Sequence, residues 1–258
     1  MTNKCLEIDI YNYLRDVEKK FVQASDYMSK QKSVEPPMRA VFVDWLVKVC
    51  KENRMQNETL HLAVTHLDRC LMLMQVDKSK LQLVGSACLL LAAKFVENVP
   101  IKCKDIVYIN DETCTKIELL ETELLVWKVL GFNVSAPTRD LFINHMCKML
   151  DSDEETKELA MYIAELSLVS GDRFVSIRSS LVAASCIALA RATLGHKPWP
   201  DDKVKMCGLS EADVLDFMAP LHSLHAHVRE SSLHAVRDKY KYRKSFRVAN
   251  IPSLDTLG

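Results

Sequence analysis

Apolar residues recur every three or four positions along most of this chain, which is the spacing of one face of an α-helix. The stripe is clearest where Leu60, Val64, Leu67 and Leu71 follow one another at this interval. The periodicity predicts an amphipathic helix near residues 6–20 and, after it, two groups of five helices. The first group covers 37–53, 57–74, 81–97, 102–109 and 113–129, and the second covers 138–149, 154–169, 175–194, 201–207 and 210–228.

Two stretches are similar enough to indicate an internal repeat. LVGSACLLLAAK at 83–94 and LVAASCIALARA at 181–192 align without a gap, and both are rich in small residues. Small residues let neighbouring backbones approach closely, so each stretch is predicted to be the central helix of a bundle. GFNVSAPT at 131–138 has the Gly and Pro expected of a linker between the two copies. We therefore expect an all-α protein with two similar domains.

The composition is that of a globular protein and indicates no charged partner. Of the 258 residues 48% are hydrophobic, and 34 Lys and Arg balance 34 Asp and Glu. This balance argues against nucleic acid as a partner. We see no apolar run long and charge-free enough to span a membrane, so no membrane association is expected. The nine Cys are scattered without a C-x-x-C pair, which indicates free thiols in a reducing intracellular compartment.

The sequence offers no constellation for catalysis. None of the common nucleotide-binding, metalloprotease or serine-hydrolase motifs occurs. His222, His225 and His227 lie close together, but their spacing places at most two of them on one helix face. We interpret them as partly exposed helix histidines in preference to a metal site. The sequence thus predicts a protein that is not an enzyme and uses no metal or cofactor.

A basic segment lies near the end of the chain. Its cations alternate with aromatic residues: Arg237, Lys239, Tyr240, Lys241, Tyr242, Arg243, Lys244, Phe246 and Arg247. Such a segment could contact phosphates or act as a nuclear address. Because the rest of the chain is not basic, we favour a solvated C-terminal extension.

The stretch MRAVFVDWLVKV at 38–49 is apolar on both sides of its predicted helix. A helix of this kind is either buried or presents part of its surface to a partner. Arg39 lies inside the run and would be costly to bury without a carboxylate.

Five blocks, in order, resemble the cyclin family and specifically the A-type mitotic cyclins. They are MRAVFVDWLVKV, MQNETLHLAVTHLDRC, KLQLVGSACLLLAAKF, YINDETCTK and LVWKVLGFNVSAPT, and the resemblance continues through WPDDKVKMCG and VRDKYK. It implies two tandem five-helix cyclin boxes at 35–134 and 135–230, an N-terminal helix and lead-in at 1–34, and a C-terminal tail at 231–258.

The function implied is that of a non-catalytic subunit, located in the nucleus and cytoplasm, that binds and activates a cyclin-dependent Ser/Thr kinase. Lys94 and Glu123 match the pair that grips the regulatory helix of the kinase. The apolar contacts implied are Leu91, Phe95, Phe132 and Val134 around that pair, with Ile10 and Tyr13 on the N-terminal helix. The alternative is a cyclin-fold transcription factor or adaptor that activates no kinase.

The resemblance also implies a groove that docks R-x-L peptides of substrates and inhibitors. Its residues would be Met38, Val41, Phe42, Trp45, Lys48, Glu52, Leu81 and Gln82. Arg39 matches an arginine that pairs with an acid on the next helix, for which Asp68 is the candidate. Lys48 stands where A-type cyclins place a Glu that meets the docking arginine, although Glu52 still offers a carboxylate. We therefore expect R-x-L peptides to bind less tightly than to a typical A-type cyclin.

Two further departures from the family concern Val96 and the N-terminal region. Val96 replaces an acid beside the interface pair, and we expect kinase binding to survive this change. The region in which mitotic cyclins carry their destruction box is missing from the sequence. We interpret the chain as either a trimmed piece of a longer protein or a short natural or viral form.

Overall fold

The structure is a computed structural model that describes residues 2–21, 27–171, 174–200 and 207–256. Every regular element in these ranges is helical. The first six α-helices are α1 Thr2–Glu18, α2 Pro36–Glu52, α3 Asn57–Leu73, α4 Leu81–Val96, α5 Cys103–Ile109 and α6 Lys116–Val129. The others are α7 Arg139–Met149, α8 Glu154–Ser170, α9 Ser179–Thr193, α10 Glu211–Asp216, α11 Met218–His227 and α12 Ala235–Tyr240. Of the predicted helix at 201–207, all but Cys207 lies outside the described residues.

The α2–α6 unit is a compact body formed by residues 23–136 and 168–176. Its central helix is α4, which packs against α2, α3, α5 and α6 and has every residue from Val84 to Ala93 buried. Gly85 lets the ring of Phe42 on α2 lie against the α4 backbone. A Cβ at Gly85 would come within 2.0 Å of Phe42 Cε1, so any larger residue at this crossing would force the Phe42 ring to shift.

Arg39 is a fully buried charge that joins several segments of the α2–α6 unit. Its guanidinium donates to the two carboxylate oxygens of Asp68 at 2.6 and 2.7 Å and to the Leu168 carbonyl at 2.8 Å. The Tyr27 hydroxyl also donates to Asp68, at 2.8 Å. Gly171, with φ +68°, leaves room for the guanidinium, because a Cβ there would lie 2.5 Å from Arg39 Nη1. Burial alone would lower the pKa of Arg39, but the Asp68 carboxylate outweighs burial and raises it.

The α7–α12 unit comprises residues 1–22, 137–167 and 177–258. Here α9 is the central helix, because it packs against α7, α10 and α11 and buries every residue from Val182 to Ala190. The two segments of the internal repeat therefore form the central helices of their respective units. The all-α class and the two helical copies predicted from the sequence are confirmed.

Helix α1 belongs to the α7–α12 unit and packs on α7. The Tyr11 hydroxyl and the Arg15 guanidinium each donate to the Cys207 carbonyl at 2.8 Å. The buried Glu18 carboxylate accepts from the Ser180 backbone N–H at 3.0 Å and from its hydroxyl at 2.6 Å. These contacts fix one face of the second half of α1, from Tyr11 to Glu18.

The predicted helix at 210–228 is divided into two, which corrects that prediction. Helix α10 ends at Asp216, Phe217 caps it, and α11 begins at Met218. Pro220 lies in the first turn of α11, where its missing N–H costs nothing, whereas in the interior of one long helix it would remove a hydrogen bond. The Ser210 hydroxyl accepts from the Asp213 N–H at the start of α10, as its spacing predicts.

The expectation of a solvated C-terminal tail is wrong for much of the tail, because Val236, Tyr240, Val248 and Ala249 are all buried. Residues 235–240 form α12, and Tyr240 is buried with its hydroxyl donating to Glu165 at 2.7 Å. Lys239 forms an ion pair with the same carboxylate. The apolar residues between the cations of the tail pack into the α7–α12 unit, which an interpretation based on charge did not anticipate. Residues 241–244 are exposed.

The three histidines of α11 bond to backbone carbonyls, and the expectation that they are partly exposed is wrong for His225, which is buried. His222 Nε2 lies 2.7 Å from Leu254 O, His225 Nε2 3.2 Å from Ile251 O, and His227 Nδ1 2.8 Å from Ser223 O. Within the described ranges, no group of three His, Cys, Asp or Glu side chains could hold a metal ion.

One stretch among the described residues is long and apolar enough to cross a membrane, judged by length and composition alone. It is Lys78–Val96, with a mean hydropathy of 1.4. The expectation that the sequence has no such run is therefore wrong. The stretch contains α4, and 61% of its most apolar window is buried inside the protein because α4 is a core helix.

Candidate functional site

Lys94 and Glu123 form an ion pair on the surface of the α2–α6 unit. Lys94 lies in the last turn of α4 and Glu123 in the middle of α6, and Lys94 Nζ is 2.7 Å from both carboxylate oxygens. The Glu123 side chain is 10% exposed and that of Lys94 is 44% exposed. An ammonium group has three N–H donors. The pair uses two of them, so the exposed Lys94 can still donate to a partner.

A largely apolar cavity of about 340 Å³ opens beside this pair. Its lining consists of Leu91, Lys94, Phe95, Leu120, Glu123, Leu124, Trp127 and Val134. Phe95, at 55% exposure, and Trp127, at 41%, leave much of their rings open to solvent. An exposed apolar surface that surrounds one ion pair is typical of a protein–protein contact.

Sequence reasoning missed the part of this surface that α6 contributes. Ile117, Leu120, Leu124 and Trp127 are exposed and recur along one face of α6, whereas the core face of the same helix carries Leu119 and Val126. The sequence did indicate this surface, because apolar residues recur on two faces of α6 and only one of these faces can pack against α4.

Phe132 and Val134 lie in the turn that follows α6. Gly131 and Phe132 both have left-handed backbone, with φ of +62° and +60°. The Phe132 ring is 62% exposed, and its centroid is 5.6 Å from that of Trp127. Val134 is half-buried and lines the cavity. The turn thus extends the apolar surface beyond the end of α6.

Ile10 and Tyr13, the two other residues assigned to the kinase contact, lie on α1 in the α7–α12 unit. Ile10 is half-buried and Tyr13 is exposed, on either side of the buried Tyr11. Their role in binding stays a prediction.

The predicted docking groove corresponds in part to a second cavity of the α2–α6 unit, of about 580 Å³. Trp45, Lys48, Val49, Glu52, Tyr108, Ile109, Asp111 and Glu112 line it. Three of the eight predicted groove residues are therefore brought together here, namely Trp45, Lys48 and Glu52. Sequence reasoning missed the two acids after α5, although the block YINDETCTK contains both.

The five remaining groove residues differ in exposure. Phe42 and Leu81 are buried, Val41 is exposed, and Met38 and Gln82 are half-buried. The centroid of the Phe42 ring lies 5.2 Å from that of the Trp45 ring. The two aromatic rings therefore connect the buried side of α2 with the cavity. Gln82 donates to the Asn110 side-chain carbonyl at 2.8 Å.

Lys48 is paired within its own helix. Its Nζ lies 3.1 Å from the Asp44 carboxylate, and its side chain is 54% exposed. Across the cavity, Asp111 and Glu112 adopt left-handed backbone with φ of +51° and +54°. The cavity therefore combines one partly neutralised cation with the carboxylates of Glu52, Asp111 and Glu112, and its net charge is negative.

Comparison with known families accounts for almost the whole chain. The model of the cyclin N-terminal domain matches residues 9–135, and that of the cyclin C-terminal domain matches residues 137–254. The chain belongs to the cyclin family. This confirms the family resemblance of its sequence blocks, and the two matches meet at the linker between the two copies of the repeat.

This cyclin is similar to A-type relatives from several animals. It is 39% identical over 244 residues to the G2/mitotic-specific cyclin-A of Spisula solidissima and 38% identical over 250 residues to cyclin-A2 of Homo sapiens. These matches cover 95% and 96% of this chain but only 58% of each relative, so the chain spans little more than half the length of those proteins.

Solved structures agree on the fold. A viral cyclin from herpesvirus saimiri matches with a TM-score of 0.72 at 20% identity, covering 92% of this chain and 99% of the viral one. A chain of the yeast RNA polymerase II CTD kinase complex matches with a TM-score of 0.67 at 15% identity, covering 91% of this chain and 84% of that one.

Proposed function

We propose that this cyclin binds a cyclin-dependent Ser/Thr kinase and activates it without contributing a catalytic group. The observation that carries the proposal is the Lys94–Glu123 pair within an exposed apolar surface of Phe95, Trp127 and Phe132. Two fixed charges inside an apolar patch can orient one helix of a partner, because they bond its polar groups while its apolar side chains bury the patch. The similarity to A-type cyclins supports the identity of that partner.

Activation follows from differential binding. In kinases of this type the regulatory helix carries a Glu that must pair with the catalytic Lys, and the isolated kinase holds this helix rotated away. A rigid surface that binds only the inward position shifts the equilibrium by its difference in affinity for the two states. A shift from 1:99 to 99:1 requires about 5.5 kcal/mol. An interface above roughly 2,000 Å² with an apolar centre can supply this.

The acidic cavity beside Trp45 would recruit substrates and inhibitors through R-x-L-type peptides. Trp45 offers apolar contact, and Glu52, Asp111 and Glu112 favour a cation. Lys48 opposes that cation, although its pairing with Asp44 weakens the opposition. We propose that such peptides bind, but less tightly than to a cyclin with an acid at this position. The nucleus and cytoplasm are the proposed locations.

The direct test is a kinase assay. The chain is mixed with a purified cyclin-dependent kinase, and phosphorylation of histone is measured with and without it. Strong stimulation together with a stable heterodimer in gel filtration supports the proposal. Retention on DNA without stimulation would instead favour a cyclin-fold transcription factor.

A further inference from the structure

The turn after α6 places an exposed aromatic residue in a backbone conformation that such residues avoid. Phe132 has φ +60°, where its Cβ crowds the backbone, and it directly follows the left-handed Gly131. The ring nevertheless lies on the surface beside Trp127, at 62% exposure. Because little of this ring is buried, its own packing does not explain why the turn keeps this conformation.

Two side chains of α3 hold the turn from inside. Arg69 donates to the Asn133 carbonyl at 2.7 Å through Nη1 and to the Leu130 carbonyl at 3.2 Å through Nη2. His66, one turn earlier on the same face of α3, lies with Nε2 2.9 Å from the Val134 carbonyl. These three carbonyls lie on both sides of Phe132, so the bonds fix the backbone before and after it.

The two side chains that hold the turn are themselves buried. His66 is fully buried and Arg69 is 9% exposed. Burial lowers the pKa of His66 to about 4, so the ring is neutral at physiological pH and its Nε2–H donates to the carbonyl. Binding costs less when an exposed side chain is already held in its bound position. A fixed Phe132 would lose little freedom when a partner covers it.

We propose that Arg69 and His66 are positioning residues for kinase binding. They touch backbone carbonyls and act through Phe132, whose ring they keep on the surface beside Trp127 in the orientation that the partner covers. This role rests on the proposed function. It identifies the two α3 side chains that orient Phe132, one of the residues proposed to contact the kinase.

A double-mutant cycle tests the mechanism with the full chain and a purified cyclin-dependent kinase. We expect Arg69→Met to weaken kinase binding at least tenfold by calorimetry. In a Phe132→Ala background the same change should weaken binding less than threefold, because the residue through which Arg69 acts is gone. In a Lys94→Ala background the full tenfold loss should persist. Equal losses in all three backgrounds would overturn the proposal.

A second pair of variants keeps the test decisive if Arg69→Met folds poorly. A Gln side chain offers an N–H donor as His66 does, and a Leu side chain offers none. We expect His66→Gln to keep kinase affinity within threefold and His66→Leu to lose at least fivefold. Equal affinities of these two variants would contradict a role for the bond to Val134.

Hydrogen exchange of the uncomplexed chain separates a local effect from general destabilisation. We expect the amides of residues 131–134 to exchange at least tenfold faster in His66→Leu, while those of 84–93 in α4 stay unchanged. Faster exchange throughout α4 would assign His66 a general structural role and overturn the inference. If Lys94→Glu lowers kinase affinity but Arg69→Met does not, the positioning role is refuted and the proposed function stands. If the unsubstituted chain binds no kinase, the proposed function is refuted as well.

Discussion

Replacing Lys48 by Glu should strengthen the binding of R-x-L peptides. Lys48 is the one cation among the residues lining the cavity of Trp45, and its side chain is 54% exposed. Its ion pair with Asp44, at 3.1 Å, reduces its field but does not remove it. A peptide arginine that enters beside Glu52 therefore meets attraction from the acids and repulsion from Lys48.

The size of the effect follows from Coulomb's law. At an effective dielectric of about 60, between about 20 for pairs near a protein surface and about 80 for bulk water, two unit charges about 7 Å apart interact by roughly 0.8 kcal/mol. Physiological salt screens about half of this. Reversing the sign at position 48 changes repulsion into attraction, for a total of about 1 kcal/mol, or about fivefold in Kd. Loss of the helical pair with Asp44 and the new like-charge contact should cost at most about 1 kcal/mol of stability.

Isothermal calorimetry with a short R-x-L peptide at two salt concentrations measures the change. We expect about fivefold tighter binding at physiological salt and a smaller gain at high salt. A peptide with citrulline in place of arginine keeps the shape without the charge and should show no gain. Lys128→Glu is a matched charge reversal, because Lys128 is exposed on α6 and outside the cavity lining. An unchanged affinity for Lys48→Glu, or an equal gain with the citrulline peptide, would refute the reasoning.

Three further predictions concern stability, each measured by urea unfolding. Asp68→Asn should lower the free energy of unfolding by about 3–5 kcal/mol, because it leaves Arg39 charged and buried without its carboxylate. The double variant Arg39→Met, Asp68→Leu should lose less stability than this. A double variant as unstable as the single one would argue against an unpaired charge as the cause. Gly85→Ala should cost about 1–3 kcal/mol, because the new methyl collides with Phe42; a neutral result would show that the ring moves freely. Between pH 6.5 and about 4, His66 is protonated in the unfolded chain but neutral in the folded protein. The free energy of unfolding should therefore decrease as the pH is lowered through this range, by up to about 1.4 kcal/mol per pH unit. His66→Gln should lack this component, and identical pH slopes of the two proteins would contradict it.

The helices could be predicted from the sequence wherever a clear apolar stripe met a clear boundary. α3 and α8 run within one residue of their predicted ends, because their stripes are long and regular. The break at Phe217 was missed because the apolar pattern continues across it, and only Pro220 indicates a new helix start. The tail was misjudged because charge dominates its sequence, whereas its few apolar residues, among them Val236, Tyr240 and Val248, are buried.

Candidate sites could be predicted only where residue type and sequence motif agreed. Lys94 and Glu123 are far apart in sequence, and the family resemblance rather than any local pattern pointed to their shared role in kinase binding; their ion pair became visible only in the structure. The pairing of Lys48 with Asp44 follows helical spacing and could have been predicted. The approach of Asp111 to the same cavity depends on how α5 packs, which no short pattern encodes.

Exchanging Lys94 and Glu123 tests whether this ion pair directs the binding and activation of the kinase. The double variant Lys94→Glu, Glu123→Lys keeps an ion pair within the chain but reverses the charges that the apolar surface presents. We expect a folded protein whose kinase affinity falls about 100-fold, corresponding to about 2.7 kcal/mol from mispaired interface charges, and which no longer stimulates histone phosphorylation. A folded double variant that binds and stimulates the kinase as well as the original chain would contradict this role of the pair.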